Sequence, residues 1–385
     1  MEILGVAPTQ TVGKAFGVLC YFPESCAYTV ETGDSLSFLG SGFAQKGVSV
    51  LKFMPTASSE KTSISLSACG KTRQRTVRIF EKSEGAVITG SGDFIYIPQE
   101  EEAFYEYLAW YLNADIGDMF TFRSCYRWGG SAEADPAFWK KAVSLLQDLG
   151  IYYALMTDGR ELNGVNANPE PEIMQSEYFL GEQTHERDGA FTYWVQDADE
   201  YEALFYHLLS RKLERNGIYG KYSPVYNKQG VARIYYAEDE AETVKQAYEN
   251  LVENLRRTAA DGATRHTGVT PLFGAFYEAG YQWQGLESMY GNHEILFGAL
   301  RGMSRSVGQS SFGAHLALQW ASVPCDDKAH ALRYALSLQE SYMHGVTQIN
   351  TEEGLWNIEN PFEGFDRFSR ACKMHQRNRR GLTAL

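Results

Sequence analysis

The sequence predicts an α/β protein with an antiparallel β-sandwich over residues 1–97 and a (β/α)8 barrel over 98–385. Three observations carry that reading. Up to residue 97, short apolar bursts alternate with period two and no helical stretch intervenes. At Pro98 the patterning changes to a 3.6-residue period. From there, eight candidate strands take turns with amphipathic segments.

The sandwich strands are read from F-G-V-L-C-Y-F, S-L-S-F-L, V-S-V-L-K-F-M, T-S-I-S-L-S-A, T-V-R-I-F and D-F-I-Y-I, parted by Gly, Ser, Asp and Lys turns. After Pro98, residues 99–113 put Phe104, Leu108, Tyr111 and Leu112 on one helical face. Asp135 caps a helix that begins at Pro136, turns Phe138, Ala142, Leu145 and Leu149 inward and stops at Gly150. A third stripe runs through Val244, Ala247, Tyr248, Leu251, Val252 and Leu255. A fourth, opened by Asp326 and Asp327, runs through Leu332, Ala335 and Leu336.

Barrel strands are expected to begin at 119, 151, 232, 268, 283, 312, 346 and 381, with an insertion at about 159–230 after the second. A doubly wound open sheet is the competing arrangement. It usually carries a glycine-rich phosphate turn, and neither G-x-G-x-x-G nor G-x-x-x-x-G-K-[ST] occurs.

Composition narrows the function. The chain has 385 residues, 44% hydrophobic and 22% charged, enough for a large core and two domains at roughly 100–200 residues each. No apolar run reaches the roughly 18 residues a membrane span needs, and M-E-I-L-G-V lacks the parts of a signal peptide. A cytoplasmic protein is expected; a secreted or periplasmic one follows if a leader has been removed. A net charge of -13 argues against nucleic acid as a partner. The six scattered cysteines form no C-x-x-C and read as thiols in a reducing compartment, with one disulfide as the alternative. Self-association into a homo-oligomer is compatible with the sequence. Aromatics at 14% supply core, and also the flat rings on which a sugar packs.

A barrel of this kind works at the carboxyl ends of its strands. There the sequence places Glu352 and Glu353 after the strand at 346, Glu287 in the strand at 283 and Asp158 after the strand at 151. Strand parity turns His315 and Gln319 inward, with Phe312, Ala314, Leu316, Leu318 and Trp320 on the opposite face. It also groups Gln348, Asn350 and Glu352, favouring Glu352 over Glu353 unless a bulge shifts the register. Two carboxyls facing a sugar suffice for glycoside hydrolysis, one protonating the leaving oxygen and one attacking or activating water. Glu287 beside Trp283 and Tyr290 suits the acid, and Glu352 beside Asn350 and Thr351 the ionised partner. In the bland alternative these acids cap helices or pair with Arg301 or Arg305.

Arg123, Arg127 and Trp128 near the first strand end, with Tyr290, Trp320 and Trp356, would bind a carbohydrate; His293 would orient Glu287 or cap a helix. No cofactor and no metal is expected in this reading. Two others compete: a metal-dependent sugar isomerase or hydrolase using Glu287, His293, His315 and Asp158, although no H-x-H or H-E-x-x-H is present, and a barrel that binds saccharide without cleaving it.

A sandwich leading into a barrel whose strands end in L-E-S-M-Y-G and N-T-E-E-G-L-W resembles the large clan of TIM-barrel retaining glycoside hydrolases. The resemblance implies an acid/base Glu and a nucleophilic Glu from different strand ends. It departs at one point: that clan's acid/base usually follows the fourth strand, often as Asn-Glu, whereas Glu287 is counted to the fifth and follows Leu286.

Overall fold

The structure, a computed structural model, describes residues 1–81, 87–91, 101–115, 117–123, 125–126, 132–133, 136–156, 175–185, 244–260, 262–289, 292–318 and 328–351. Its first part holds β1 (Glu2–Gly5), β2 (Thr9–Thr11), β3 (Phe16–Phe22), β4 (Cys26–Thr32), β5 (Leu36–Phe38), β6 (Phe43–Ala44), β7 (Gly47–Pro55), β8 (Ser59–Ala68) and β9 (Lys71–Phe80). They form two sheets, β1-β3-β7-β5 and β2-β9-β8-β4-β6, antiparallel throughout except for the β2–β9 pair. Between the sheets lie Phe16, Val18, Phe22, Tyr28, Phe53, Ile64, Leu66, Val77 and Ile79. Burial among them pushes the Cys20 thiol up to about 12.

Strand β3 explains its own unbroken apolar run. Phe16, Val18, Cys20 and Phe22 face the sandwich core, while Leu19 belongs to a second core shared with the helices of the barrel. Both faces are covered, so alternation disappears. Gly17 lets the sheet meet a helix closely: a Cβ there would lie 2.8 Å from the Asp148 carbonyl oxygen. The two parts are also tied by Asn113, which donates from Nδ2 to the Leu4 carbonyl at 2.9 Å, and by Thr9, which donates to the buried Asp115 at 2.7 Å.

The second part runs β10 (Ile88–Ser91), α1 (Glu101–Asn113), β11 (Met119–Arg123), a small pair β12 (Cys125–Tyr126) and β13 (Ala132–Glu133), α2 (Pro136–Leu149) and β14 (Tyr152–Met156). It continues with β15 (Phe179–His185), α3 (Val244–Ala260), β16 (Ala263–Gly268), α4 (Phe273–Ala279), β17 (Trp283–Ser288), α5 (His293–Ser306), β18 (Gly313–Leu316), α6 (Lys328–Met343) and β19 (Gln348–Thr351). Strands β10-β11-β14-β15-β16-β17-β18-β19 form a closed parallel barrel in chain order, shut by parallel pairing of β10 with β19 from Ile88↔Gln348 to Ser91↔Thr351. Closure rules out the doubly wound open sheet. Among the described residues, no helix is long and apolar enough to cross a membrane.

Five of the eight strands lie where the sequence puts them; three do not. The strand expected from 268 lies instead at Ala263–Gly268, meeting the expected run only at Gly268, and Phe273 already begins α4. The barrel opens at Ile88–Ser91, ahead of Pro98, so its first strand falls inside the segment assigned to the sandwich. A further strand, Phe179–His185, lies inside the expected 159–230 insertion. The expected strands at 232 and 381 lie outside the described residues, and since β10 and β19 close the barrel neither is one of its eight.

Apolar packing sits outside the barrel wall. Phe104, Tyr107, Leu108, Tyr111 and Leu112 of α1 pack with Phe138, Ala142, Val143, Leu146 and Leu149 of α2 on Phe120, Tyr153 and Leu155. Opposite, Phe273, Phe297, Leu300, Tyr334 and Leu338 cover Leu286, Phe312, Ala314, Leu316, Leu318 and Ile349. The inward face of α6 matches the expected one only at Ala335: Tyr334 and Leu338 are buried with it, whereas Leu332 and Leu336 are 50% and 65% exposed.

Candidate active site

With the apolar residues of the wall turned outward, the alternate positions fill the barrel, and most of them are polar. The deeper layer is built on Arg265. Its guanidinium stacks on the Trp283 ring at 3.8 Å, donates to the Gln348 Oε1 at 2.6 Å and to the Leu180 carbonyl at 3.2 Å. Trp283 reaches across the interior because position 313 is glycine: a Cβ there would lie 2.3 Å from the indole. The result is a plugged floor, not a pore.

Above it, toward the carboxyl ends of the strands, comes a cluster of buried titratable side chains. Register aligns Glu287 on β17 with His315 on β18 and Asn350 on β19, while His185 ends β15 beside Thr267 of β16. His185 Nε2 lies 3.6 Å from the Glu287 Oε2, and the rings of His185 and His315 stand edge to face with centroids 5.2 Å apart. His315 Nδ1 is 2.6 Å from the Asn350 Oδ1, and His185 Nδ1 is 2.8 Å from the Thr267 Oγ1, to which Gln183 also donates at 3.4 Å. Glu287 is 3% exposed and His315 fully buried.

Burying a carboxylate costs several kcal/mol unless a cation or proton compensates it. In this site the His185 imidazole, a group able to carry a compensating proton, stands 3.6 Å from the Glu287 carboxyl. That is the equipment of an acid or base, or of a metal ligand.

Four of the sequence-picked residues are therefore located in full. Glu287, His315 and Asn350 are brought together, inward on adjacent strands, with His315 and Asn350 on the faces that parity gives them. His293 is not among them: it opens α5 behind the Asn292 cap, and its Nδ1 lies 3.4 Å from the Glu340 Oε2 of α6. Arg123 ends β11, in register with Met156. Glu352, Glu353, Arg127, Trp128, Asp158, Tyr290, Gln319, Trp320 and Trp356 lie outside the described residues. The strand count is also corrected: β17 is the sixth barrel strand, which takes Glu287 further from the fourth-strand position that the resemblance implies.

Sequence reasoning missed His185, Thr267, Gln183 and Arg265. The run F-L-G-E-Q-T-H has too few apolar residues to signal a strand, because its inward side chains are the polar ones. The available signal was parity: Gln183 and His185 are two apart, as Gln348 and Asn350 are.

Fold and site together define a closed parallel barrel with a buried carboxylate–histidine cluster at its carboxyl end. No family model matches the chain, and no curated protein matches it. Among solved structures, a protein from Bacteroides fragilis provisionally assigned as an alpha-galactosidase/melibiase aligns over 97% of this chain and 78% of its own, at 11% identity and a TM-score of 0.30. A carbohydrate acetylesterase from Xanthomonas citri aligns over 90% and 75%, at 11% identity and a TM-score of 0.27. A family 39 glycoside hydrolase from Bacteroides cellulosilyticus aligns over 81% and 75%, at 10% identity and a TM-score of 0.25. At such TM-scores these likenesses establish neither fold nor activity for this chain; the fold rests on the closed strand ladder.

Proposed function

We propose that this chain is a carbohydrate-active hydrolase that cleaves a glycosidic bond at the carboxyl end of its barrel, with Glu287 as one of two reacting carboxyls. One observation carries the reading: a carboxyl that is 3% exposed, held on a barrel strand at the functional end, with His185 at 3.6 Å. The second carboxyl is assigned to Glu352, or to Glu353 if a bulge follows Thr351. Glu352 comes two residues after Asn350, so an unbroken strand gives it the same inward face.

In this scheme Glu287 donates a proton to the departing glycosidic oxygen, and the carboxylate after β19 attacks the anomeric carbon or activates water. His185 supports proton exchange at Glu287, while Asn350 and Thr267 hold the two imidazoles in place for sugar hydroxyls to bond. No metal takes part in the reaction.

The test is kinetic. Wild type, Glu287→Gln, Glu352→Gln and Glu353→Gln are assayed on a panel of chromogenic glycosides and one natural oligosaccharide. The reading expects Glu287→Gln to be hurt most on the natural substrate, since an activated aryl leaving group needs little protonation. It expects one of the other two to lose turnover on both by on the order of 10³. Near wild-type rates for all three would leave it without its chemistry.

A further inference from the structure

We propose that His185, Glu287 and His315 form a binding site for one divalent transition-metal ion of the zinc class. One ligand atom from each of the three lies within 4.8 Å of the others, and all three residues are buried. The His185 Nε2 to Glu287 Oε2 separation of 3.6 Å is too long for a hydrogen bond. It is close to the edge of a coordination tetrahedron, about 3.4 Å for metal–ligand bonds of about 2.1 Å.

Orientation agrees with spacing. Each imidazole has its Nδ1 engaged by an oxygen on the next strand, His185 by Thr267 at 2.8 Å and His315 by Asn350 at 2.6 Å. Hydrogen bonds of that kind set the tautomer and hold the ring so that Nε2 is the coordinating atom. The side chains rise from paired strands of a closed barrel, so little entropy remains to be lost on binding. Two nitrogens and one carboxylate oxygen favour zinc, cobalt, nickel, iron or manganese over calcium and magnesium, and three protein ligands leave a position for water or a ligand.

The site rests on this geometry alone. Its effect on turnover rests on the hydrolase reading: an ion held by Glu287 takes the oxygen that must carry the proton, so loading the site should switch hydrolysis off. The metal-dependent alternative requires the opposite effect.

The experiment uses the full chain, treated with chelator and dialysed. It is titrated with zinc chloride by calorimetry and with cobalt chloride by visible absorption. One ion per chain is expected, with a Kd of about 1 μM or tighter, and cobalt bands of moderate intensity marking nitrogen–oxygen ligation. His185→Ala and His315→Ala should each weaken binding about tenfold or more. Circular dichroism checks that they fold; Asn350→Ala, which keeps all three ligands but loosens one ring, covers the case in which they do not, and should weaken binding severalfold. No saturable binding, or binding equal in wild type and in folded variants, overturns the site. With the site confirmed, zinc inhibition on an active glycoside supports the hydrolase reading. Zinc activation would retain the site and refute the metal-free mechanism.

Discussion

The two interiors of this molecule differ in kind. Between the sandwich sheets nearly every side chain is apolar, from Phe16 and Phe53 to Ile64 and Val77. Inside the barrel, Arg265, Gln348, Gln183, His185, Glu287, His315 and Asn350 are all buried. A fold can carry so many buried polar groups only if its stability comes from elsewhere. In this barrel it comes from the outer wall, where α1, α2, α4, α5 and α6 bury aromatic and aliphatic side chains. The sandwich interior serves stability; the barrel interior, in the proposed reading, is left to chemistry.

That division predicts opposite mutational signatures. The largest stability effect belongs to the sandwich. Phe53→Ala removes a fully buried ring packed against Phe16 and Phe38 and should cost about 3–5 kcal/mol in urea unfolding, with activity per folded molecule unchanged. Equal losses of activity and stability would mean that the two interiors are coupled.

Asn350→Ala probes the barrel. It deletes the partner of the His315 ring at 2.6 Å, a hydrogen bond contributing about 1 kcal/mol, and should lower turnover about five- to tenfold with only a small change in melting temperature. A large drop in stability without a kinetic effect would return His315 to a structural role.

The smallest effect joins the two parts. Lys52 on β7 and Asp148 on α2 meet at 2.5 Å, but both are nearly half exposed, so Lys52→Ala should cost about 0–1 kcal/mol, less at high salt. A larger loss would show that the sandwich clamps the barrel through charge as well as through Leu19 and Gly17.

The same contrast explains what was legible in the sequence. Where a strand's outer face carries the packing, alternation is plain: Phe312, Ala314 and Leu316 point out and His315 in, and parity groups Asn350 with Gln348 the same way, while Glu287 is found as an acid near a strand end. Where a strand carries few large apolar side chains on either face, the signal fades. Ile88–Ser91 is four residues with one large apolar side chain, and Gly181–His185 contains none. His185 was lost with that strand, and the cluster around Glu287 with it. On α6 the apolar residues outnumber the buried positions, so composition chose Leu332 and Leu336 while packing chose Tyr334 and Leu338.

The central claim is that Glu287 is buried for chemistry and not for stability, and one paired measurement addresses it most directly: thermal unfolding and glycoside turnover of Glu287→Gln, side by side with wild type. The account predicts a melting temperature within a few degrees of wild type, since glutamine keeps the shape and removes a buried acid, together with turnover of the natural substrate reduced on the order of 10³. A protein that melts much lower yet turns over at the wild-type rate would contradict it.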